Sequence, residues 1–538
     1  MLRAPAAWVL VLLCLGMALR LVLLVGEPLH QDEALYGFWG RLISTGRDPW
    51  LATVAVDKPP LGLYLIAGSQ AVFGVSEFAA RLPGLAASLL SIPLTYVLGR
   101  RLYGRSCGLA AAAVMALTPY PLLFGATAFT DPILIGWWLA ACCAAVSGRW
   151  GWAGLALGLA FATKQQAVVL APLVIGLEVG GCYSPRSAEK GEGLEVGGCG
   201  YSPRSVEEGE RLEVGRFVVG LGVVVAGVWA WDSIRIANGA AMGFWGQGVE
   251  SYGGLRLIWP AELAPRLREW ARLAGYVFAW PCLGGLVMVG VAALLGRDLT
   301  RQCQTRSALV DLILITFALF YLFFHLLLAF PVWDRYLLPM APVAALLLGR
   351  VLGTIVPGAK PLAPARSAGG SGSGDWGLDI VPGTQWKGIG YWVKRALRFT
   401  LYVLLFASLL GGGVMAARGR IPVGGDHGAF DGLDEVVDYL QDLPVGTVLY
   451  DRWLSWHYDY YLFDAYLYRA GFPSPGWLAD DAAAFYDGRP RYLVLPDWES
   501  SARLERALAE LGLTMSPVLT TRRRDGATSF VVYKIEIR

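Results

Sequence analysis

Residues 5–36 read PAAWVLVLLCLGMALRLVLLVGEPLHQDEALY: an apolar run to Val25, a short polar turn, then two adjacent carboxylates, Asp32 and Glu33. About twenty apolar residues rise roughly 30 Å as a helix, the thickness of bilayer hydrocarbon. The run follows Met-Leu-Arg, but it is longer than a signal-peptide core and no A-x-A-like site follows it, so it reads as an uncleaved first span. Charges directly after a span lie at the membrane boundary, where ionisable groups are costly to keep. A membrane helix that delivers acids to an aqueous face frames the rest of the chain.

The remaining sequence is mostly more of the same apolar material. Hydrophobic residues make up 55% of the 538 and charged residues 16%, with a mean hydropathy of +0.49. A soluble domain is nearer a quarter charged. Further apolar runs occupy 60–73, 83–99, 107–125, 132–147, 151–163, 166–179, 217–237, 275–295, 308–330, 337–353 and 399–417. The run 60–73 is short and opens on Pro59-Pro60, so it reads as a re-entrant or interfacial helix. Runs 151–163 and 166–179 are short for full spans, and about eleven crossings are predicted.

Lysines and arginines between spans mark the cytoplasmic side. Arg3, the group Arg100, Arg101 and Arg105, then Arg149, then Arg297, Arg301 and Arg306, and finally the loop 354–398 all fall on one side if the spans alternate. The N-terminus is then cytoplasmic and residues 418–538 are extracytoplasmic. The predicted fold class is a polytopic α-helical membrane protein (domain 1–417) with a small extracytoplasmic α/β domain (418–538) of ordinary domain size. In that domain Leu433–Leu443 and Ser500–Leu511 read as helices, and Thr447–Tyr450, Tyr492–Leu495 and Ser529–Ile537 as strands.

The first external loop is 26–59, and the cytoplasmic loops 180–215 and 354–398 read as disordered. A segment from Gly176 recurs, with one inserted glycine, from Gly193 to Ser205, a tandem copy rich in Gly, Ser and Glu. Ser367–Asp375 (SAGGSGSGD) is a linker by composition. A formal net charge of +3 implies no nucleic-acid partner. None of the eight cysteines lies beyond residue 303, and no CxxC spacing suggests zinc.

Several polar residues collect on the external face. Asp32 or Glu33 could deprotonate an acceptor hydroxyl or hold a divalent cation; the plainer reading is that Asp32 N-caps a helix with Glu33 in its first turn. Lys58, before Pro59-Pro60, stands at the positive end of a helix, where an anion such as phosphate would suit it, or Asp57 simply neutralises it. Asp131, before Pro132, is either an ordinary helix start or a second acid facing Asp32. Lys164 sits in the tight turn between two short spans on the same face, where snorkelling is the plainer reading. Arg335 reaches the same boundary, suited to phosphate or paired with Asp334. His325 reads as hydrogen-bonded within the bundle, and Arg20, inside the first run, needs a partner. No Walker loop, HExxH, GxSxG or Rossmann fingerprint appears in a credible setting, so a nucleotide-sugar donor is unsupported.

The ordered series HQDEALY, DKPPL, ARLPG, FTDPIL, GLALGLAFATK and DRYLLPMAP resembles the GT-C integral-membrane glycosyltransferases. The branch is that of protein O-mannosyltransferases and lipid A aminoarabinose transferases, over about residues 5–350. The resemblance implies an inverting transfer from a dolichyl- or undecaprenyl-phosphate sugar at the outer face of the plasma membrane. Asp32 would be the base, with Glu33 and Asp131 the other catalytic acids, and Lys58, Arg335 and Lys164 would meet the donor phosphate. The acceptor, whether protein, glycolipid or glycan, is not implied, nor is a metal. Gln165-Gln166 departs from the glycine expected after Lys164. A transporter of polyprenyl-linked sugars is the rival; it calls for charges at the bilayer midplane, where this chain has few.

Overall fold

Proline placement explains where the apolar runs break. In this computed structural model, which describes residues 4–24, 28–182, 203–254, 256–278, 280–300, 306–355, 400, 403–485 and 487–537, helix α1 covers Ala4–Leu24 and α2 Gln31–Ser44. Then come α3 (Pro60–Phe73), α4 (Glu77–Tyr103), α5 (Arg105–Leu117), α6 (Pro119–Gly125), α7 (Asp131–Ala145), α8 (Trp150–Thr163) and α9 (Ala167–Cys182). The single run 107–125 is two helices, bent by 52° at Thr118. Pro119 has no N–H, so the Met115 carbonyl loses its helical partner.

That orphan explains Arg20. Its side chain is fully buried. Nη2 donates to Met115 O (3.2 Å) and Pro121 O (2.9 Å), Nη1 to Gly16 O (3.0 Å) and Ala116 O (3.3 Å), and Nε to Ser88 Oγ (2.9 Å). A charge inside a span persists only with such partners, and here the broken helix supplies them.

The chain continues with α10 (Pro203–Ala237), α11 (Phe244–Ser251), α12 (Pro260–Ala274), α13 (Pro281–Thr300), α14 (Arg306–Leu327), a 3-10 turn at Asp334–Leu337, α15 (Met340–Ile355) and α16 (Val403–Ala417). Two expectations need correcting. Residues 203–215, assigned to a disordered loop, begin α10. The run at 275–295 is preceded by the amphipathic α12 and starts only at Pro281, whose ring suits a first helical position. Arg3, Arg301, residues 183–202 of the duplicated stretch and the linker 367–375 lie outside the described residues.

Among the described residues four helices are long and apolar enough to cross a bilayer, or five if bent α5–α6 counts as one, and seven apolar helices are shorter. At about 1.5 Å per residue the 14 residues of α8 give roughly 21 Å, so the short helices survive by packing. Gly154 of α8 meets α10 so closely that a Cβ there would stand 2.1 Å from Phe217 O, and one on Gly220 would stand 2.4 Å from Gly151 O. Small residues let membrane helices approach in this way. Gly154→Val should therefore part α8 from α10 and destabilise the protein by about 1–3 kcal/mol or more, read as a lowered melting temperature in detergent.

The C-terminal region folds around a five-stranded sheet, order β2-β1-β3-β5-β4, of β1 (Val448–Asp451), β2 (Tyr468–Gly471), β3 (Arg491–Pro496), β4 (Leu513–Arg522) and β5 (Thr528–Ile537). β2, β1 and β3 are parallel, while β3, β5 and β4 are antiparallel. Alternation sends Leu449, Val494 and Val532 to a core under α17 (Leu433–Gln441) and α18 (Ser455–Tyr461). Tyr450, Leu493 and Ile535 pack on the other face with α19 (Pro475–Ala484) and α20 (Ala502–Glu510). β4 escaped the sequence reading because Pro517 and two register shifts interrupt its pattern.

Candidate active site

Helix α2 begins with an unusual cap. His30 is its N-cap: Nδ1 accepts from the Asp32 N–H (3.2 Å), while Glu33 Oε2 accepts from the His30 N–H (2.9 Å), closing a capping box. Asp32 is therefore not the cap, and its carboxylate is free for other work. It accepts a 2.5 Å hydrogen bond from Arg335 Nη1. Burial alone would raise its pKa, but the Arg335 guanidinium, helped by His30 and Lys58, holds the carboxyl below the ordinary aspartate value.

Glu33 points the other way. Its two oxygens take Arg81 Nε (3.0 Å) and Nη2 (2.9 Å), and Oε1 also accepts from the Ala128 N–H (2.7 Å). Both partners are buried. This pair ties α2 to α4 and to the loop before α7. Removing one member of a buried ion pair leaves a charge uncompensated, at about 3–5 kcal/mol. Arg81→Met should lower stability by that order, and the double change with Glu33→Gln should recover part of it in the same thermal measurement.

Three more elements converge on Asp32. Lys58, just ahead of α3, is buried and ion-paired with Asp57, and its ammonium stands 5.7 Å from the Tyr252 ring centroid. Burial would lower its pKa, but Tyr252 and Asp57 raise it above the ordinary lysine value. Lys164, the C-cap of α8, pairs with Asp131 at the first turn of α7 (Nζ–Oδ1, 2.7 Å) and stands 5.4 Å over the Tyr336 ring. Burial pulls the Lys164 ammonium below the usual lysine range, Asp131 opposing and Arg335 adding to the shift. The N-cap of α7 is Thr130 without a side-chain cap bond, so Asp131 serves Lys164 rather than the helix terminus. Tyr336 and Tyr252 approach through their hydroxyls (3.4 Å), which closes the ring of contacts.

The Arg335 guanidinium packs against the rings of Phe129 (5.0 Å) and Trp333 (4.4 Å). Asp334 does not pair with it as expected: its oxygens accept from the Arg335 N–H (2.7 Å) and the Gly424 N–H (2.6 Å), fixing the turn. Buried Arg335 Nε has no hydrogen-bond partner among the described residues. The Gln165-Gln166 departure has a structural account. Gln165 Nε2 donates to Asp57 O (2.5 Å), and Gln166 bonds Tyr321 Oη, whose hydroxyl donates to Tyr336 O (2.7 Å). His325 bonds Tyr321 O through Nδ1 (2.9 Å), within the bundle as expected.

Two cavities reach this cluster. One, about 360 Å³, is largely apolar and lined by Lys164, Gln166, Val168, Tyr252, Phe324 and Tyr336. The other, about 380 Å³, is polar and lined by His30, Glu33, Arg81, Asp426, Arg523 and Arg524. A larger groove between α8 and α10, about 910 Å³, holds none of the clustered acids or cations. Among the described residues no three His, Cys, Asp or Glu side chains converge as a metal site. Asp32 and Glu33 are also engaged by arginines, so the donor set does not fit a divalent cation.

Sequence reading missed Arg81, Tyr252 and Tyr336. Arg81 carried a signal: an arginine opening an apolar span demands a partner. The tyrosines carried none, since aromatics at a membrane boundary are ordinary.

A bundle of apolar helices, with paired acids and cations gathered where five segments meet, defines the class: a multi-pass integral membrane protein. Residues 57–179 match the family model described as dolichyl-phosphate-mannose-protein mannosyltransferase. An undecaprenyl phosphate-alpha-4-amino-4-deoxy-L-arabinose arabinosyl transferase of Pseudomonas paraeruginosa is 30% identical over 188 residues, 32% of this chain and 34% of that protein. One from Pseudomonas aeruginosa is 32% identical over 163 residues, 27% of this chain and 30% of that protein. The aligned segments thus span about a third of these relatives' length. The crystal structure of ArnT from Cupriavidus metallidurans in the apo state superposes with a TM-score of 0.62 at 15% identity, covering 99% of this chain and 98% of that one. The same protein bound to undecaprenyl phosphate gives 0.59 at 16% identity, covering 98% of both chains. The likeness to ArnT is one of fold, from end to end.

Proposed function

We propose that this protein transfers a sugar, with inversion, from a polyprenyl-phosphate donor to an extracytoplasmic acceptor at the plasma membrane. The observation that carries the reading is the cluster of three buried cations, Lys58, Lys164 and Arg335, each paired with its own carboxylate (Asp57, Asp131 and Asp32), beside an apolar cavity that Lys164 lines. A polyprenyl phosphate has the matching chemistry: an apolar tail for the cavity and an anion for the cations. The relatives' donor, undecaprenyl phosphate linked to an aminoarabinose, supports the same class.

In this reading Asp32 accepts the proton of an acceptor hydroxyl as its oxygen attacks the anomeric carbon from the face opposite the phosphate. The bond from that carbon to the phosphate oxygen breaks, and polyprenyl phosphate leaves with the electron pair. Arg335, whose Nε–H has no partner among the described residues, meets the charge growing on the leaving oxygen, while Lys58 and Lys164 hold the remaining phosphate oxygens. Asp131 and Glu33, expected as catalytic acids, instead orient Lys164 and lock α2. In the same reading the chain crosses the membrane about eleven times, with the N-terminus in the cytoplasm and residues 418–538 an extracytoplasmic domain, supported by the lysines and arginines that fall on one side. Sidedness of engineered cysteines toward an impermeant thiol reagent tests this.

The deciding experiment incubates purified protein with a panel of radiolabelled polyprenyl-phosphate sugars, with Asp32→Asn as control. Release of polyprenyl phosphate by wild type and not by the variant is expected. Label crossing a reconstituted bilayer without cleavage would instead indicate a transporter.

A further inference from the structure

The polar turn after α1 is held from a distance of more than four hundred residues. Tyr461 Oη accepts from the Leu29 N–H (3.0 Å), and His457 Nε2 donates to Leu29 O (2.9 Å). Both groups belong to α18, in the C-terminal region. One peptide-bearing residue is thus fixed at its donor and its acceptor, and Leu29 is fully buried. The next residue, His30, caps α2 through the Asp32 N–H.

The rest of the contact is close and specific. Leu29, Ala34 and Tyr460 form a small core with Phe38, Trp456 and Tyr461 around it. Gly37 of α2 lies so near Tyr460 that a Cβ would stand 2.8 Å from its ring. Arg41 donates to Tyr460 O (2.7 Å) and to Asp464 Oδ2 (2.6 Å). Tyr461 Oη in turn donates to Glu77 Oε1 (2.5 Å), joining α18 to the start of α4. His457 packs against Phe430 (4.4 Å between centroids), and Phe430 meets the His30 ring edge-on (6.2 Å). A carbonyl only accepts, so Nε2 carries the hydrogen, and the buried Nδ1 has no partner among the described residues. Burial pushes the imidazole down to about 4, against the Leu29 bond, so it is neutral at physiological pH.

We infer that His457 and Tyr461 are positioning residues for Asp32: by fixing the Leu29 peptide they set where α2 begins, and so where the carboxylate stands. The inference rests on the transfer reading given above. The C-terminal region then serves the chemistry through α2, while Lys58, Lys164 and Arg335 come from other segments. Small displacements of a reacting group cost up to about 100-fold in rate.

Two measurements test it. Tyr461→Phe removes one oxygen atom and is the mildest variant. Its kcat should fall about 10-fold with polyprenyl-phosphate affinity unchanged, whereas in an Asp32→Asn background the same change should have almost no effect, since a missing base cannot be misplaced. His457→Gln, which keeps an N–H donor, should recover most of what His457→Ala loses. An equal loss in both backgrounds, or weakened donor binding at constant kcat, overturns the role. Independently of activity, Tyr461→Phe should speed amide hydrogen exchange in the peptide from Leu29 to Ser44, and unchanged protection overturns the anchor itself. A wild type that releases polyprenyl phosphate from no donor, with the exchange result intact, overturns the transfer reading and the role, but leaves the anchor standing.

Discussion

Asp32→Asn is expected to slow sugar transfer by about 10²–10⁴-fold, the usual contribution of a positioned general base, while polyprenyl phosphate still binds. Asparagine keeps the shape and an acceptor oxygen for Arg335, so α2 and the phosphate-facing cations stay in place. What is lost is the negative charge that takes the acceptor's proton. Release of polyprenyl phosphate and its binding, measured on one preparation, separate the two effects. A variant that transfers at the wild-type rate removes Asp32 from the mechanism.

The electrostatics add a pH signature. The folded pKa of Asp32 lies below its unfolded value of about 3.9. The Asp32–Arg335 pair therefore contributes stability that is present above about pH 4 and lost as pH falls through the lower folded pKa. The base is ionised throughout the neutral range, and the acid limb of activity should lie below the ordinary aspartate range. Replacing Arg335 should move that limb upward, because burial would then act against fewer opposing charges.

How far the sequence carried this picture depended on the range of the forces involved. Membrane embedding and the ends of α1, α3 and α8 followed from run length and from Pro59-Pro60, which are local signals. The five site cations and acids that matter most, Asp32, Lys58, Asp131, Lys164 and Arg335, were also legible, because charge at the end of an apolar run is conspicuous. Their pairing was not. Asp32 could have been a helix cap, and only the fold revealed that His30 takes that part and leaves the carboxylate to Arg335, some three hundred residues away. Glu33 looked equivalent to its neighbour, yet one position along a helix turns a side chain by about 100°, toward Arg81 instead of the cleft. The bend between α5 and α6 was hidden in an unbroken apolar run, though Pro119 and Pro121 were its cause. The docking of α18 on α2 had no local signature, since it joins the Leu29 backbone, Gly37 and the Arg41 side chain to residues more than four hundred positions away.

Arg335→Ala is expected to produce the second large loss, about 10²–10³-fold in transfer, the scale seen when one donor to a developing oxyanion is removed. Two effects work together. The leaving phosphate loses a cation packed against Phe129 and Trp333, and Asp32 loses its partner in a buried setting, which raises its pKa. Arg335→Lys separates them. Lysine restores a charge near Asp32 but has neither the planar fork nor the stacking of a guanidinium. It should therefore return the acid limb of the pH profile toward that of wild type while leaving the rate at neutral pH low. Steady-state transfer from about pH 3 to 8 in the three proteins checks this. Full recovery by lysine would mean that Arg335 acts only as a counter-ion to Asp32. A wild-type rate in the alanine variant would mean that Lys58 and Lys164 alone meet the leaving phosphate.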